Sequence, residues 1–153
     1  MASSSKEVRL EELMPLIRES LAQGQRVGFS PRGVSMLPML RQGLDTVELS
    51  PAPDRLAKHD LPLYRRDNGQ YVLHRIVKVG EHYTCCGDNQ FDLEYPVRRD
   101  QVIALVTAFT RAGKRVEVTG FGYRLYCRLW CGTRPLRRCC RRGRGWLARR
   151  LKP

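Results

Sequence analysis

No stretch of this 153-residue chain is apolar for long enough to cross a bilayer, which takes ~20 residues. The longest uncharged apolar run, Val102-Ile103-Ala104-Leu105-Val106-Thr107-Ala108-Phe109, has the length of a buried strand. The opening Met1-Ala2-Ser3-Ser4-Ser5-Lys6-Glu7 lacks the apolar core of a secretory signal. The expected location is therefore the cytosol, and the six cysteines are expected to be mostly free thiols rather than a disulfide framework. Repeats and low-complexity linkers are absent. Cys-x-x-Cys pairs are absent too, so Cys127, Cys131, Cys139 and Cys140 are not expected to hold zinc. Neither a metal nor a cofactor is expected. Cys85 and Cys86 read as strand packing, and His59 and His82 as loop and strand-edge residues.

Acidic residues are missing from one end only. Residues 1–110 hold 14 Lys+Arg and 14 Asp+Glu, whereas residues 111–153 hold 14 Lys+Arg and Glu117 alone. The whole net charge of +13 thus belongs to the C-terminal part of the chain, and a neutral domain and a basic tail need separate explanations.

In residues 10–23, Leu10, Leu13, Met14, Ile17 and Leu21 fall on one face of a 3.6-residue period and predict an amphipathic helix. Pro15 is tolerated only near the start of such a helix, and Gly24 ends it. From Arg26 onward the signals are those of short strands. Val27 to Phe29, Thr46 to Leu49, Leu61 to Arg66, Tyr71 to Val79, Tyr83 to Cys86, Val102 to Phe109 and Arg115 to Val118 are separated by turn residues. Asp67-Asn68-Gly69-Gln70 is a strong hairpin signal and Ala112-Gly113 a second turn. The pattern predicts a mainly β, mostly antiparallel domain over residues 26–119. An N-terminal helix in residues 1–25 and a basic helical tail in residues 120–153 flank it.

Two features of the β-region carry chemistry. Ser35 sits in Arg32-Gly33-Val34-Ser35-Met36-Leu37-Pro38. Gly33 can take backbone angles barred to other residues, and Pro38 stiffens the exit, so the segment predicts a sharp, rigid bend with a hydroxyl at its tip. A serine hydroxyl is a weak nucleophile until a base removes its proton. His74, with Val72 and Ile76 on its own face of the predicted strand, is the natural base; partial burial would keep it neutral. A half-buried structural histidine is the plainer reading of such a residue on its own.

These residues match a family. Gly33, Ser35, Met36 and Pro38 form a Gly-x-Ser-Met-x-Pro pattern that resembles the nucleophile motif of the signal-peptidase and self-cleaving-repressor clan of serine peptidases. Gly43-Leu44-Asp45-Thr46-Val47 looks like the strand that follows it there. His74-Arg75-Ile76-Val77 is similar to the His-Arg-Val-Ile motif of the endoplasmic-reticulum and sporulation-type branch, and Gly87-Asp88-Asn89 to that branch's Gly-Asp-Asn box. Four motifs in the family's order cover about residues 26–110.

The resemblance implies a signal-peptidase-like β-fold and a Ser-His dyad of Ser35 and His74, where the bacterial housekeeping enzymes and the repressors use lysine as base. It also implies an acid to orient His74. Asp88, inside the box, ranks slightly ahead of Asp92, the nearest match to the family's later aspartate. Ser35's own amide would serve the oxyanion hole. The hydroxyl that relatives often place two residues earlier is replaced by Gly33, leaving a second amide or Ser30 to help. The implied substrate is a peptide or protein, a leader or precursor cut by an endopeptidase. The alternative is a peptidase-like binding module without catalysis, acting through its basic tail.

In that tail Tyr126 and Trp130, Leu125 and Leu129, and Arg124 and Arg128 each stand one turn apart. Beyond the Thr133-Arg134-Pro135 break, Leu136, Cys139, Cys140, Trp146 or Leu147, and Leu151 suggest a second apolar face, weakened by Gly143 and Gly145. Three readings are open: a helix lying on an anionic membrane surface by its interfacial aromatics, a nucleic-acid grip, and a helix packed partly on the domain with a solvated arginine-rich end. The membrane surface is preferred, which would add a peripheral seat on the inner face of the membrane to the cytosolic location; nucleic acid ranks lower.

Overall fold

A computed structural model describes residues 10–141. It is mainly β, with two antiparallel sheets and helices at both ends of the chain. Helix α1 (Leu10–Ala22) buries Met14, Ile17 and Leu21 on the face the periodicity predicts. The helix runs on through Pro15, because the buried face offsets the hydrogen bond that proline cannot give. It ends at Gly24 (φ 72°), whose amide donates to Leu21 while Gln25's donates to Ser20, the paired bonds of a Schellman motif.

The larger sheet contains β1 (Val27–Phe29), β2 (Thr46–Pro51), β3 (Pro62–Arg65), β4 (Tyr71–Leu73), β8 (Val102–Arg111) and β9 (Lys114–Glu117). Its order is β1-β2-β8-β3-β4, with β9 also paired to β8. The smaller sheet is β5 (Arg75–Val79), β6 (Tyr83–Cys86) and β7 (Glu94–Val97). The hairpin at Asp67–Gln70 forms as expected, with Gly69 at φ 87°. So does the β8–β9 turn at Ala112 and Gly113 (φ 49° and 77°).

The expected single strand from Tyr71 to Val79 is instead two strands in different sheets, broken at His74. Leu73 still pairs with Leu63, but Arg75 and Ile76 pair with Cys86 and Cys85 of β6, and the other side of the segment meets loop residues. Ile76 donates to the Asp60 carbonyl and accepts from the His59 amide. The break fixes His74 at the joint between the two sheets. A short strand, β7, was not expected at all. It holds Pro96 on the edge of the smaller sheet, where a missing donor costs no ladder bond.

Two apolar clusters result. One joins α1, the β1–β2 loop and one face of the larger sheet. The other, with Tyr64, Val72, Ile76, Tyr83, Cys85 and Val97, fills the space between the sheets. The beginning of the tail belongs to the first cluster: helix α2 (Phe121–Gly132) buries Tyr123 and Cys127 in it. After a turn at Thr133 the chain is again helical over 134–141. Gly143, Gly145, Trp146, Leu147 and Leu151 lie outside the described residues. All six cysteines are free thiols.

Candidate active site

Ser35 stands in the loop between β1 and β2 (residues 30–45), and that loop is braced at several points. Gly33 has φ 88° and donates its amide to Gln42 Oε1 at 3.0 Å, so the predicted glycine-dependent bend is present. The Leu37–Pro38 bond is cis. Asp45, fully buried, receives Arg41's guanidinium at 2.7 and 2.9 Å and Arg41's amide at 2.9 Å. The Arg41 hydrogen bonds, against the opposing effect of burial, hold the Asp45 carboxyl below the usual carboxylate range. From the end of β8, Arg111 donates to the carbonyls of Pro38 and Met39 at 2.7 and 2.9 Å.

Ser35 and His74 line one cavity of about 210 Å³, with Met36, Leu40 and Leu73 among its apolar walls and Arg66, Gln70 and Gln90 among its polar ones. His74 is 2 % exposed and packs edge-on to Tyr64, with ring centroids 6.5 Å apart. No hydrogen bond joins its ring to the Ser35 hydroxyl among the described residues.

The acid beside His74 is neither Asp88 nor Asp92. It is Glu94, at the start of β7, whose Oε1 lies 2.8 Å from His74 Nδ1. The distance is that of a charge-assisted bond, but the ring N–H is not aligned on the oxygen. Two residues of the neighbouring strand segment fix the carboxylate: Tyr64 Oη donates at 2.8 Å and Arg66 Nε at 2.8 Å to Oε2, and Arg66 Nη2 pairs with Oε1. Burial opposes the charge on Glu94, but His74, Arg66 and Tyr64 more than offset it and hold the carboxyl far below its ordinary range. The Glu94 carboxylate occupies the Nδ1 side of the ring, so Nε2 is the ring nitrogen left for other partners.

Asp88 faces a different cation. It is fully buried and takes both arms of Arg75, at 2.8 and 2.7 Å. Arg75, also fully buried, further donates to Tyr123 Oη at 2.7 Å, Cys127 Sγ at 2.9 Å and Met39 Sδ at 3.0 Å. Burial works against the Arg75 charge, yet the Asp88 bonds leave its pKa raised. Asp92 contributes its backbone: its carbonyl accepts from Cys86 Sγ at 3.2 Å.

The Gly-Asp-Asn box nevertheless touches the Ser35 loop. Asn89 donates its amide to the Ser35 carbonyl at 2.8 Å and its side chain to the Val34 carbonyl at 3.2 Å. Gly87 packs so closely that an added Cβ would lie 2.7 Å from the Ser35 carbonyl and 2.9 Å from Gln90 Oε1. A Gly87→Ala protein is therefore expected to push the Ser35 backbone aside. It should lose about 1–3 kcal/mol of stability by overpacking, and at least ~10-fold in Ser35 reactivity measured on the folded fraction. Unchanged reactivity would mean that the box does not position the serine.

For the oxyanion, Ser30 is not placed to help: its hydroxyl donates to the Asp45 carbonyl at 2.9 Å and it is not among the residues walling the cavity. The Ser35 and Met36 amides have no acceptor among the described residues, so two adjacent donors remain at the bend.

Two aromatic side chains of the tail, Tyr126 and Trp130, turn toward the domain. Trp130 Nε1 donates to the Asp88 carbonyl at 2.8 Å and Tyr126 Oη to Asp88 Oδ2 at 3.0 Å. Their rings stack with centroids 5.9 Å apart, and the Arg137 guanidinium lies 3.8 Å from the Trp130 ring centre. Thus α2 clamps the same box that supports Ser35. Among the described residues no three His, Cys, Asp or Glu side chains converge as a metal site, and no helix is long and apolar enough to cross a membrane.

Searches against family models and curated proteins find no match to this chain. The resemblance to the signal-peptidase clan therefore rests on the motif residues alone.

Proposed function

We propose that the chain is a serine endopeptidase that cuts leader or precursor peptides with a Ser35–His74–Glu94 triad. The observation that carries this reading is the shared cavity of Ser35 and His74, with an ionised carboxylate on the far nitrogen of the imidazole. The walls of that cavity suit one small or medium apolar side chain beside the cut.

In this reaction His74 Nε2 takes the Ser35 Oγ proton as Oγ bonds to the scissile carbonyl carbon. The carbonyl oxygen collects the negative charge and is held by the Ser35 and Met36 amides. The imidazolium, steadied by Glu94, passes its proton to the leaving amine as the C–N bond breaks. Water then adds to the acyl ester with His74 again as base, and a carboxylic acid leaves. The hydroxyl and the imidazole close to hydrogen-bond distance, about 2.6–3.2 Å, when substrate excludes water, a tightening common in serine hydrolases.

The test is a fluorophosphonate probe read by intact mass. One adduct is expected on the wild type and none on Ser35→Ala, with labelling at least ~10³-fold slower on His74→Ala. Equal labelling of all three proteins defeats the proposal. The missing Ser35–His74 hydrogen bond favours a second reading, a binding module on a peptidase-like scaffold, and that result would be its signature.

A further inference from the structure

Helix α2 turns Tyr123, Tyr126 and Trp130 toward the domain, and what remains outside is a second apolar face, one phenyl ring followed by leucines. Phe121 is 82 % exposed, Leu125 45 % and Leu129 59 %, at successive four-residue steps, and Leu136 on the following helical run is 64 % exposed. Arg124 and Arg128, both exposed, border this stripe one turn apart. Between these arginines and the loop before β3 opens a pocket of about 310 Å³. Lys58, His59, Arg124 and Arg128 stand around it, with Tyr123 and Cys127 of α2 among its walls. Asp60 is its acidic member, and its carboxylate accepts the Ala57 amide at 2.8 Å.

We propose that this face docks on an anionic phospholipid bilayer. Phe121, Leu125 and Leu129 enter the acyl boundary, and an acidic headgroup occupies the basic pocket. Charge selects the occupant. A second copy of the chain would bring its own Arg124 and Arg128 against the first pair. An anionic partner with an apolar layer meets both requirements at once. Nucleic acid fits less well: stacking of successive bases needs several free aromatic faces, and with Tyr126 and Trp130 spent on each other and on Asp88, Phe121 is the one exposed ring of α2 on a face otherwise lined by leucines. The inference stands apart from the proposed hydrolysis: either could hold without the other.

The experiment is flotation of the full chain with vesicles of phosphatidylcholine alone or mixed equally with phosphatidylglycerol. The mixed vesicles should bind at least ~10-fold more tightly. A Phe121→Ala/Leu125→Ala/Leu129→Ala protein keeps every charge and the buried Tyr123 and Cys127 of α2, so its circular dichroism should match the wild type. Its affinity for mixed vesicles should fall at least ~5-fold. Arg124→Gln/Arg128→Gln should remove most of the lipid preference. The proposal is overturned if the triple-alanine protein binds within twofold of the wild type, which would make the attraction one of charge alone. It is equally overturned if the wild type does not prefer mixed vesicles, if millimolar inorganic phosphate releases it, or if a single-stranded oligonucleotide binds it more tightly than the vesicles do.

Discussion

A Glu94→Gln protein is expected to react with a fluorophosphonate about 10³–10⁴ times more slowly than the wild type, with little change in melting temperature. The carboxylate holds three neighbours: Tyr64, Arg66 and His74. Glutamine preserves the volume and can still accept from Tyr64 or Arg66 through its carbonyl oxygen, so packing survives. What it cannot supply is a negative charge opposite an imidazolium, and its amide nitrogen offers His74 Nδ1 a donor instead of an acceptor. The imidazole would then favour the tautomer with its proton on the side facing Ser35, where it cannot act as base. The equivalent carboxylate-to-amide change in a Ser-His-Asp triad costs about 10⁴ in kcat. Asp92→Asn serves as the control. Its carboxylate is exposed and has no partner that would carry it to His74, so labelling should stay within about twofold. A Glu94→Gln protein that labels at the wild-type rate, with His74→Ala still inactive, would remove Glu94 from the triad and leave a dyad.

Much of the architecture was legible in the chain because the strands are short and bounded by strong turn chemistry. Gly69 and Ala112-Gly113 sit where the backbone takes positive φ. The glycine before the serine sits there too. The periodicity of Leu10 to Leu21 translated directly into a buried face. What was not legible required knowing which strands neighbour which. Glu94 sits in Leu93-Glu94-Tyr95-Pro96-Val97, and a proline in so short a run argues against a strand unless the run lies on a sheet edge, as this one does. With β7 unexpected, the acids that the resemblance implied were Asp88 inside the box and Asp92 after it. Arg75 escaped notice for a related reason. A single strand from Tyr71 to Val79 would put it simply on the face opposite His74, whereas the sheet change at His74 turns its guanidinium into the space beneath α2. The tail's helical spacing was clear, yet spacing alone cannot say which of two apolar faces meets the domain. The polar tips of Tyr126 and Trp130 settle it by reaching Asp88.

Asp88→Ala is expected to be the most destabilising single change in the chain, by about 3–5 kcal/mol, and to silence Ser35 as well. The reason is the charge left behind. Arg75 has no exposure to water, and its other partners are a phenol, two sulfur atoms and the His59 carbonyl, none of which carries a formal negative charge to balance it. An unpaired guanidinium in that position must either draw water inward or push α2 away, and both routes loosen Tyr123, Tyr126 and Trp130. Because Asn89 and Gly87 support the Ser35 carbonyl, the disorder reaches the nucleophile loop within one residue of the substitution. Thermal unfolding should show a melting point lower by on the order of 10 °C or more, and phosphonate labelling of the remaining folded fraction should fall. A paired replacement separates the two effects. Arg75→Met/Asp88→Leu removes both charges together and fills the space with apolar atoms, so it should recover most of the lost stability, since a buried ion pair contributes less than its removal by halves suggests. Labelling should recover with it if Asp88 acts only through the fold. A double variant that is stable yet unreactive would place the Asp88 carboxylate itself in the chemistry, and an Asp88→Ala protein of unchanged melting point would show that Arg75 finds water where the fold leaves none.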